Sequence, residues 1–493
     1  MHDIIEQRRS YVAGKWVDGE ERLAVENPAD ASHVTDVSVT PLPEIERAAV
    51  EARDSFERGV WADIPAAERA RVLHAFLDHV EASRDALVAT MVAEAGQPAA
   101  FAERAQLQGG LAVARGAIDL YLTMPHEAAT PVPVDELVRG RVALSVERHE
   151  PVGVVVAITP YNGAIVMALQ KLVPALMAGN SVILRPSPLT PLSSLVFGAA
   201  ADAAGLPPGV LSVVVEGGAA GAELLTGHPA VDMVSFTGST AVGRRILAQA
   251  APTVKRVALE LGGKSVQIYL DDAVERAAAG AVAVVAATAG QACVAATRML
   301  VPQERKSEVL DAVGAAYARL IVGDPAAAGT TLGPVISAGQ LERCERFVAL
   351  ATEHGGNIVR GGGRPQNLDP RLERGHYFEP TVLDLPGNDN PAAQEEIFGP
   401  VLSVLGYRDL DDAVRIANDS PYGLSGQVYG ADTAAATAVA RRLRTGAVNV
   451  NTAVFSAYAP GGGYKQSGLG RERGTDGIRA FQELKHLAIG ELR

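Results

Sequence analysis

The stretch VGVVVAITPYNGAIVMALQKLVPALMAGNSVILRPS, residues 152–187, spells a complete strand-helix-strand unit. Residues 152–160 form a β-branched apolar run, 165–178 carry a helical period, and 181–187 form a second apolar run. Apolar runs with no polar face, joined by a helix-length crossover, describe parallel strands of a sheet covered on both sides. The alternation continues with helices near 192–204, 219–225 and 242–251, and with the strands GVLSVVV (209–215), VDMVSFTGS (231–239) and KRVALEL (255–261). This predicts an α/β protein with a Rossmann-like doubly wound sheet, a fold that binds ligands beyond the carboxyl ends of its strands.

Upstream of this unit, residues 43–59, 66–95 and 98–121 have long helical periods and are expected to pack on the sheet. Residues 139–150 alternate apolar and charged side chains, as expected of a β-ribbon edge that pairs with another subunit. After Gly263 a second α/β run begins. Strands are expected at VQIYL (266–270), 297–301, 357–359, 401–407 and 447–451, and helices at 273–288, 304–320, 339–354 and 410–418. The expected domains are residues 1–127 with 151–261 for a dinucleotide, 262–457 for catalysis, and 128–150 with 458–493 for oligomerisation.

With 493 residues the chain is too long for one core, since single cores stop growing near ~250–300 residues. Asp and Glu outnumber Lys and Arg by 57 to 44, a net charge of −13 that repels nucleic acid and anionic membranes. The opening MHDIIEQRRS has no apolar leader, and the Ala-rich run 277–290 falls short of the ~20 residues a membrane span needs. A cytoplasmic enzyme is expected. Two cysteines, Cys293 and Cys344, exclude a disulfide framework or a thiolate zinc site.

Four segments carry chemistry. Cys293 lies in AGQACVAATR, where Gly290 and Gln291 break the preceding helix and place the thiol on a tight loop. A lone cysteine is more often a small buried hydrophobe, the reading that suits Cys344 in LERCERFVAL. Glu260 ends an apolar strand in VALELGGKS, where partial burial would raise its pKa and suit it as a general base; a capping or ion-paired glutamate is the plainer alternative. Asn162 in TPYNGA follows a strand's carboxyl end, where its amide could meet an oxyanion or simply bond its own turn. FTGSTAVG, 236–243, joins a strand to a helix and could present N–H groups to a phosphate, without the usual G-x-G-x-x-G spacing.

TPYN, FTGSTAVG, LELGGKS, GQAC, EEIFGPV and GGYKQSG occur in that order, and together they resemble the aldehyde dehydrogenase superfamily from YVAGKWVDG near Tyr11 to the terminal FQELKHL. The resemblance implies an NAD(P)-dependent oxidation of an aldehyde to the acid, without a metal, in a homodimer or homotetramer. It makes Cys293 the nucleophile, Glu260 the general base, Asn162 an oxyanion donor and Lys171 a relay or supporting group. Glu396 would hold the nicotinamide ribose and Phe398 would pack near the nicotinamide, with Gly238 and Ser239 beside the pyrophosphate and Gly243 allowing close helix packing. Thr159, Pro160, Arg185, Ser187, Pro188 and Leu261 complete the implied cofactor site.

Two departures from the family pattern carry expectations. Arg185 stands where a lysine is usual, and Pro188 where a glutamate often binds the ribose 2′-hydroxyl and repels a 2′-phosphate. NAD is the first choice, and NADP competes because a guanidinium fork can accept a phosphate. Tyr161 and Gly163 replace a tryptophan and a phenylalanine, and Ala287, Ala292 and Val294 are small or aliphatic, which predicts a roomy apolar pocket for a medium or bulky aldehyde. The rivals are a CoA-acylating enzyme, an idle protein that keeps the fold, and a tyrosine-lysine Rossmann reductase, for which no motif stands on the right helix.

Overall fold

The five apolar runs 152–261 become the strands Val154–Ile158, Ser181–Arg185, Leu211–Val213, Met233–Thr237 and Arg256–Glu260 in a computed structural model that describes residues 5–138, 142–286, 288–454 and 456–490. They pair in parallel, in the spatial order third, second, first, fourth, fifth. The order reverses between Val154–Ile158 and Met233–Thr237, so a crevice opens beyond their carboxyl ends. An antiparallel hairpin, Ser10–Val12 with Lys15–Val17, extends one edge of the sheet, and Gly468–Leu469 pairs on the other beside Glu260.

Both faces are buried, as the apolar runs require. Val155, Ala157, Val182 and Leu184 point into one core with the helices Ala66–Ala82, Gly109–Thr123 and Val166–Met177. Val154, Val156, Ile158 and Ile183 point into the other, against Leu42–Glu57 and Thr240–Ala250. The Val166–Met177 helix is anchored at its carboxyl end, where Trp61 Nε1 donates to the Leu176 carbonyl at 2.7 Å and Arg69 Nε donates to that of Met177 at 3.1 Å. Those donors satisfy carbonyls a helix end leaves open.

The second α/β run builds its own sheet. Six parallel strands lie in the order Thr381–Asp384, Val401–Tyr407, Arg298–Pro302, Val266–Tyr269, Ser425–Tyr429 and Ala447–Val450, with Asn357–Arg360 antiparallel on the first edge. Gln482–Ile489 pairs with Leu144–Pro151, and that strand with Glu127–Ala129, in a separate three-stranded ribbon. The expected ribbon begins at 139, and its residues 139–141 lie outside the described ones, as does Ala287.

Three expected elements differ. The helix over 66–95 is two, parted at Ser83, whose hydroxyl bonds back to the His79 carbonyl at 3.1 Å and competes with the ladder. The segment 98–121 is not one uniform helix: residues Ala102–Gln108 form a wide π turn before Gly109–Thr123. The helix over 273–288 ends early, at Val285, after a tighter first turn Asp271–Arg276. No helix among the described residues is long and apolar enough to cross a membrane.

Candidate active site

A cavity of about 570 Å³ lies beyond the carboxyl ends of Val154–Ile158 and Met233–Thr237 and is lined on its other side by Cys293 and Val294, by Gln340 and Arg343, and by Glu396 and Phe398. Cys293, Glu260 and Asn162 all line it. Glycines make this approach feasible. Gly290 has φ +71°, and a Cβ there would stand 2.1 Å from the Gly399 carbonyl oxygen, so the turn before Cys293 accepts no side chain. At Gly263 a Cβ would meet the Cys293 carbonyl at 3.0 Å, and at Gly262 the Glu396 carboxylate at 2.2 Å. The paired glycines after Glu260 therefore let the Cys293 loop and Glu396 close onto the strand end.

Asn162 is held from both ends. Its Nδ2 donates to the Gln291 carbonyl at 2.8 Å, two residues before the nucleophile, and its own carbonyl accepts from Gln97 Nε2 at 2.9 Å and Gln106 Nε2 at 2.8 Å. The π turn Ala102–Gln108 carries Gln106 to that carbonyl. An amide nitrogen has two N–H groups, so one remains for an oxyanion.

Burial pushes the Cys293 thiol up to about 12, reinforced by the charges of Glu260, Glu396 and Glu472 and opposed by a backbone hydrogen bond from Val294. The thiol is thus protonated in the empty pocket and needs a base. Glu260 is also pushed well above the usual carboxylate range, first by burial and then by Glu472, while Lys171, Arg471 and Arg473 act against the rise. Desolvation dominates, the condition under which a carboxylate becomes a competent base near neutrality.

Lys171 is fully buried, so an exposed helix lysine is excluded; its Nζ donates to Ser235 Oγ at 3.1 Å and pairs with Glu472. Glu472, Gln97 and Gln106 were not singled out from the sequence, and Gln291 was read only as a helix breaker. Among the first three, only Glu472 leaves a signal, an acidic residue four positions after the GGYKQSG segment.

The other end of the cavity presents cofactor chemistry. Glu396 Oε1 accepts from the Gly263 N–H at 2.9 Å, and burial raises its carboxyl. Its loop is clamped by Gln340 Nε2, which donates to the carbonyls of Ile397 at 2.9 Å and Phe398 at 2.8 Å, and by Arg343. Phe398 sits at φ +60°, and its ring meets Tyr161 edge-on at 6.0 Å. Thr159, Pro160, Gly238, Ser239, Arg185 and Ser187 line the same cavity, and Leu261 does too; Pro188 is half-buried beside them and does not. Ser239 caps the Thr240–Ala250 helix, accepting from the Val242 N–H at 3.3 Å, while Gly243 lies so close to Leu261 that a Cβ would meet it at 2.7 Å.

Whether these residues fit a dinucleotide is tested by their unmet groups. Thr159 Oγ1 and Thr237 Oγ1 are buried without a hydrogen-bond partner at the strand ends on either side of the reversal, and Gly238 has no side chain between them and a helix N-terminus. Polar atoms left open beside N–H groups that attract anions suit a pyrophosphate and its riboses. Arg185 is not open: its Nε donates to Glu216 at 2.7 Å and an Nη donates to the Gly218 carbonyl at 2.6 Å.

The aldehyde dehydrogenase family profile matches residues 16–487, and the chain belongs to that family. It is 37% identical over 488 residues to a geranial dehydrogenase of Castellaniella defragrans, covering 98% of this chain and 99% of that one. Among solved structures, aldehyde dehydrogenase C of Pseudomonas syringae, in a mutant complexed with NAD+ and octanal, superposes with a TM-score of 0.92 at 35% identity, covering 99% and 98% of the two chains. Betaine aldehyde dehydrogenase of Staphylococcus aureus in complex with NAD+ gives 0.93 at 33% identity, covering 98% and 94%.

Proposed function

We propose that the protein oxidises a medium-sized or bulky apolar aldehyde to its carboxylic acid with NAD+ as hydride acceptor. The observation that carries this is the convergence of a thiol, a desolvated carboxylate and a fixed amide on one cavity whose far end offers dinucleotide contacts. Cys293 Sγ bonds to the aldehyde carbon as its proton passes to Glu260, and the carbonyl electrons move onto oxygen. The Asn162 amide and the Cys293 backbone N–H meet that oxyanion. When bound, NAD+ supplies the acceptor for the hydride, which leaves a thioester on Cys293. Glu260 releases the thiol's proton to solvent and then takes one from water as the oxygen attacks the thioester carbon; Glu260 returns that proton to the sulfur as it leaves and the acid departs. Lys171 and Glu472 fix the charge behind Glu260. Glu396 and Phe398 would hold the nicotinamide ribose and ring.

The substrate reading rests on the pocket mouth. Phe101, Gly163, Val166, Met167, Ala292 and Val294 line it, and the Met167 side chain lies against Gly163 where a Cβ would meet it at 2.6 Å. A flexible thioether occupies the space that a fixed ring would fill, so the mouth adapts to bulk. The octanal and geranial named for two similar proteins agree with this. An aldehyde panel with both cofactors is the test. Octanal is expected to exceed acetaldehyde by about tenfold or more in kcat/KM, and parity would refute the size reading. Glu260 favours water over a thiol as acyl acceptor, so NADH should form without CoA; a strict CoA requirement would establish the acylating alternative. The three-stranded ribbon, with Leu144, Leu484 and Ile489 exposed, is assigned to contacts between copies, residues 1–127 with 151–261 to the cofactor and 262–457 to catalysis. A monomeric solution mass would remove the ribbon's role.

A further inference from the structure

We infer that Glu216, by engaging Arg185 and the N-terminus of the helix Ala220–Gly227, excludes a 2′-phosphate and makes the protein select NAD+ over NADP+. The inference rests on the dinucleotide reading of the cavity. In a doubly wound sheet the residue ending the second strand reads the adenosine ribose: an acidic one bonds the 2′-hydroxyl, and an arginine nearby accepts a 2′-phosphate. Here that strand, Ser181–Arg185, ends in Arg185, which lines the cavity, and Pro188 brings no carboxylate. By sequence alone this leaves NADP+ competing with NAD+, since a free arginine fork can accept a phosphate.

The neighbouring strand reverses it. Glu216 follows Leu211–Val213, is buried, and accepts from Arg185 Nε on Oε1 at 2.7 Å. The same oxygen accepts from the Ala222 N–H at 3.0 Å, and Oε2 accepts from the Gly221 N–H at 2.7 Å. A Cβ on Gly221 would stand 2.7 Å from Oε2, so the contact is closed by shape as well as charge. Arg185 is further tied to the Gly218 carbonyl at 2.6 Å. Both kinds of donor that bind phosphate, a guanidinium and helix N-terminal N–H groups, are therefore spent on an internal carboxylate. A 2′-phosphate arriving there finds the fork and the helix N–H groups already taken and no free positive charge to offset its own, whereas a 2′-hydroxyl brings no charge to compensate. Specificity arises by withholding the phosphate's donors, from the third strand's end.

Calorimetric titration of the full chain with NAD+ and NADP+ tests this without turnover. The wild-type Kd for NADP+ is expected to exceed that for NAD+ by about tenfold or more, and Glu216→Gln to shrink that ratio by about tenfold by freeing Arg185. Glu216→Gln combined with Arg185→Met removes the carboxylate and the fork together. Its ratio should fall below wild type and stop short of the single variant. The double variant also leaves no buried charge unpaired, so it decides the matter where the single one fails to fold. A wild-type preference for NADP+, or an unmoved ratio in a folded variant, would overturn the role of Glu216. Failure of wild type to bind either dinucleotide would instead overturn the cofactor reading itself.

Discussion

Cys293 and Cys344 compare the same side chain in two settings. Burial pushes both thiols to about 12, so acidity does not distinguish them. Cys344 sits inside the helix Ala338–Glu353, fully buried, with Gln340 Nε2 3.9 Å from its sulfur and the backbone of Gly399 pressed against it. No space for a reacting carbon exists there. Cys293 stands on a loop that opens into a cavity shared with Glu260 and Asn162. On the proposed reading, reactivity comes from company and access rather than from a thiol poised as thiolate at rest.

The comparison breaks most visibly at the nucleophile. Cys293→Ala is expected to lower kcat by about 10⁴-fold or more in a steady-state assay of NADH formation, and substantial residual turnover would transfer the role elsewhere. Glu260→Gln should follow, with kcat down about 10²- to 10⁴-fold and a thioester that accumulates as a burst when substrate is mixed rapidly with the variant. In wild type the rate should climb with pH as Glu260 loses its proton, along a limb displaced above the ordinary carboxylate range, and the variant should flatten that limb. The linked stability has the opposite sense. Between the unfolded and the raised folded pKa the native state holds a proton the unfolded chain has lost, so Glu260's contribution falls as pH rises through that window. Asn162→Ala should cost about 10²- to 10³-fold in kcat with KM little changed. Cys344→Ala is the smallest perturbation: turnover per folded molecule unchanged, and about 1–2 kcal/mol lost in denaturant unfolding from the cavity it leaves. Iodoacetamide mass mapping of the native protein should find Cys293 modified and Cys344 not.

How much of this the chain announces depends on whether a partner is near in sequence. The parallel strands of the first sheet were legible because both their faces are buried, which leaves a continuous apolar run. Ser425–Tyr429 was not, although it lies between two parallel strands, because SGQVY is short and interrupted by a glycine and a glutamine. Cys293, Glu260 and Asn162, which line one cavity, could be singled out because each ends or follows an element of clear period. Gln97 and Gln106 were not, since their bonds to Asn162 cross 65 and 56 residues and a helical glutamine looks solvent-facing. Arg185 shows the cost most clearly. Its type suggested a free phosphate-binding fork, and its meaning changed with Glu216, 31 residues away at the end of the adjacent strand.

Gly468–Leu469, the short strand beside Glu260, reaches the site from far along the chain. Cys293, Asn162 and Glu260 all precede it in the chain, but the edge that pairs beside Glu260 and the Glu472 carboxylate that pairs with Lys171 come more than two hundred residues after Glu260, as the 205-residue span from the Gly262 carbonyl to the Ser467 hydroxyl records. On the proposed roles, a chain halted before that point would carry the thiol and the carboxylate without the edge that pairs beside Glu260 or the carboxylate that pairs with Lys171.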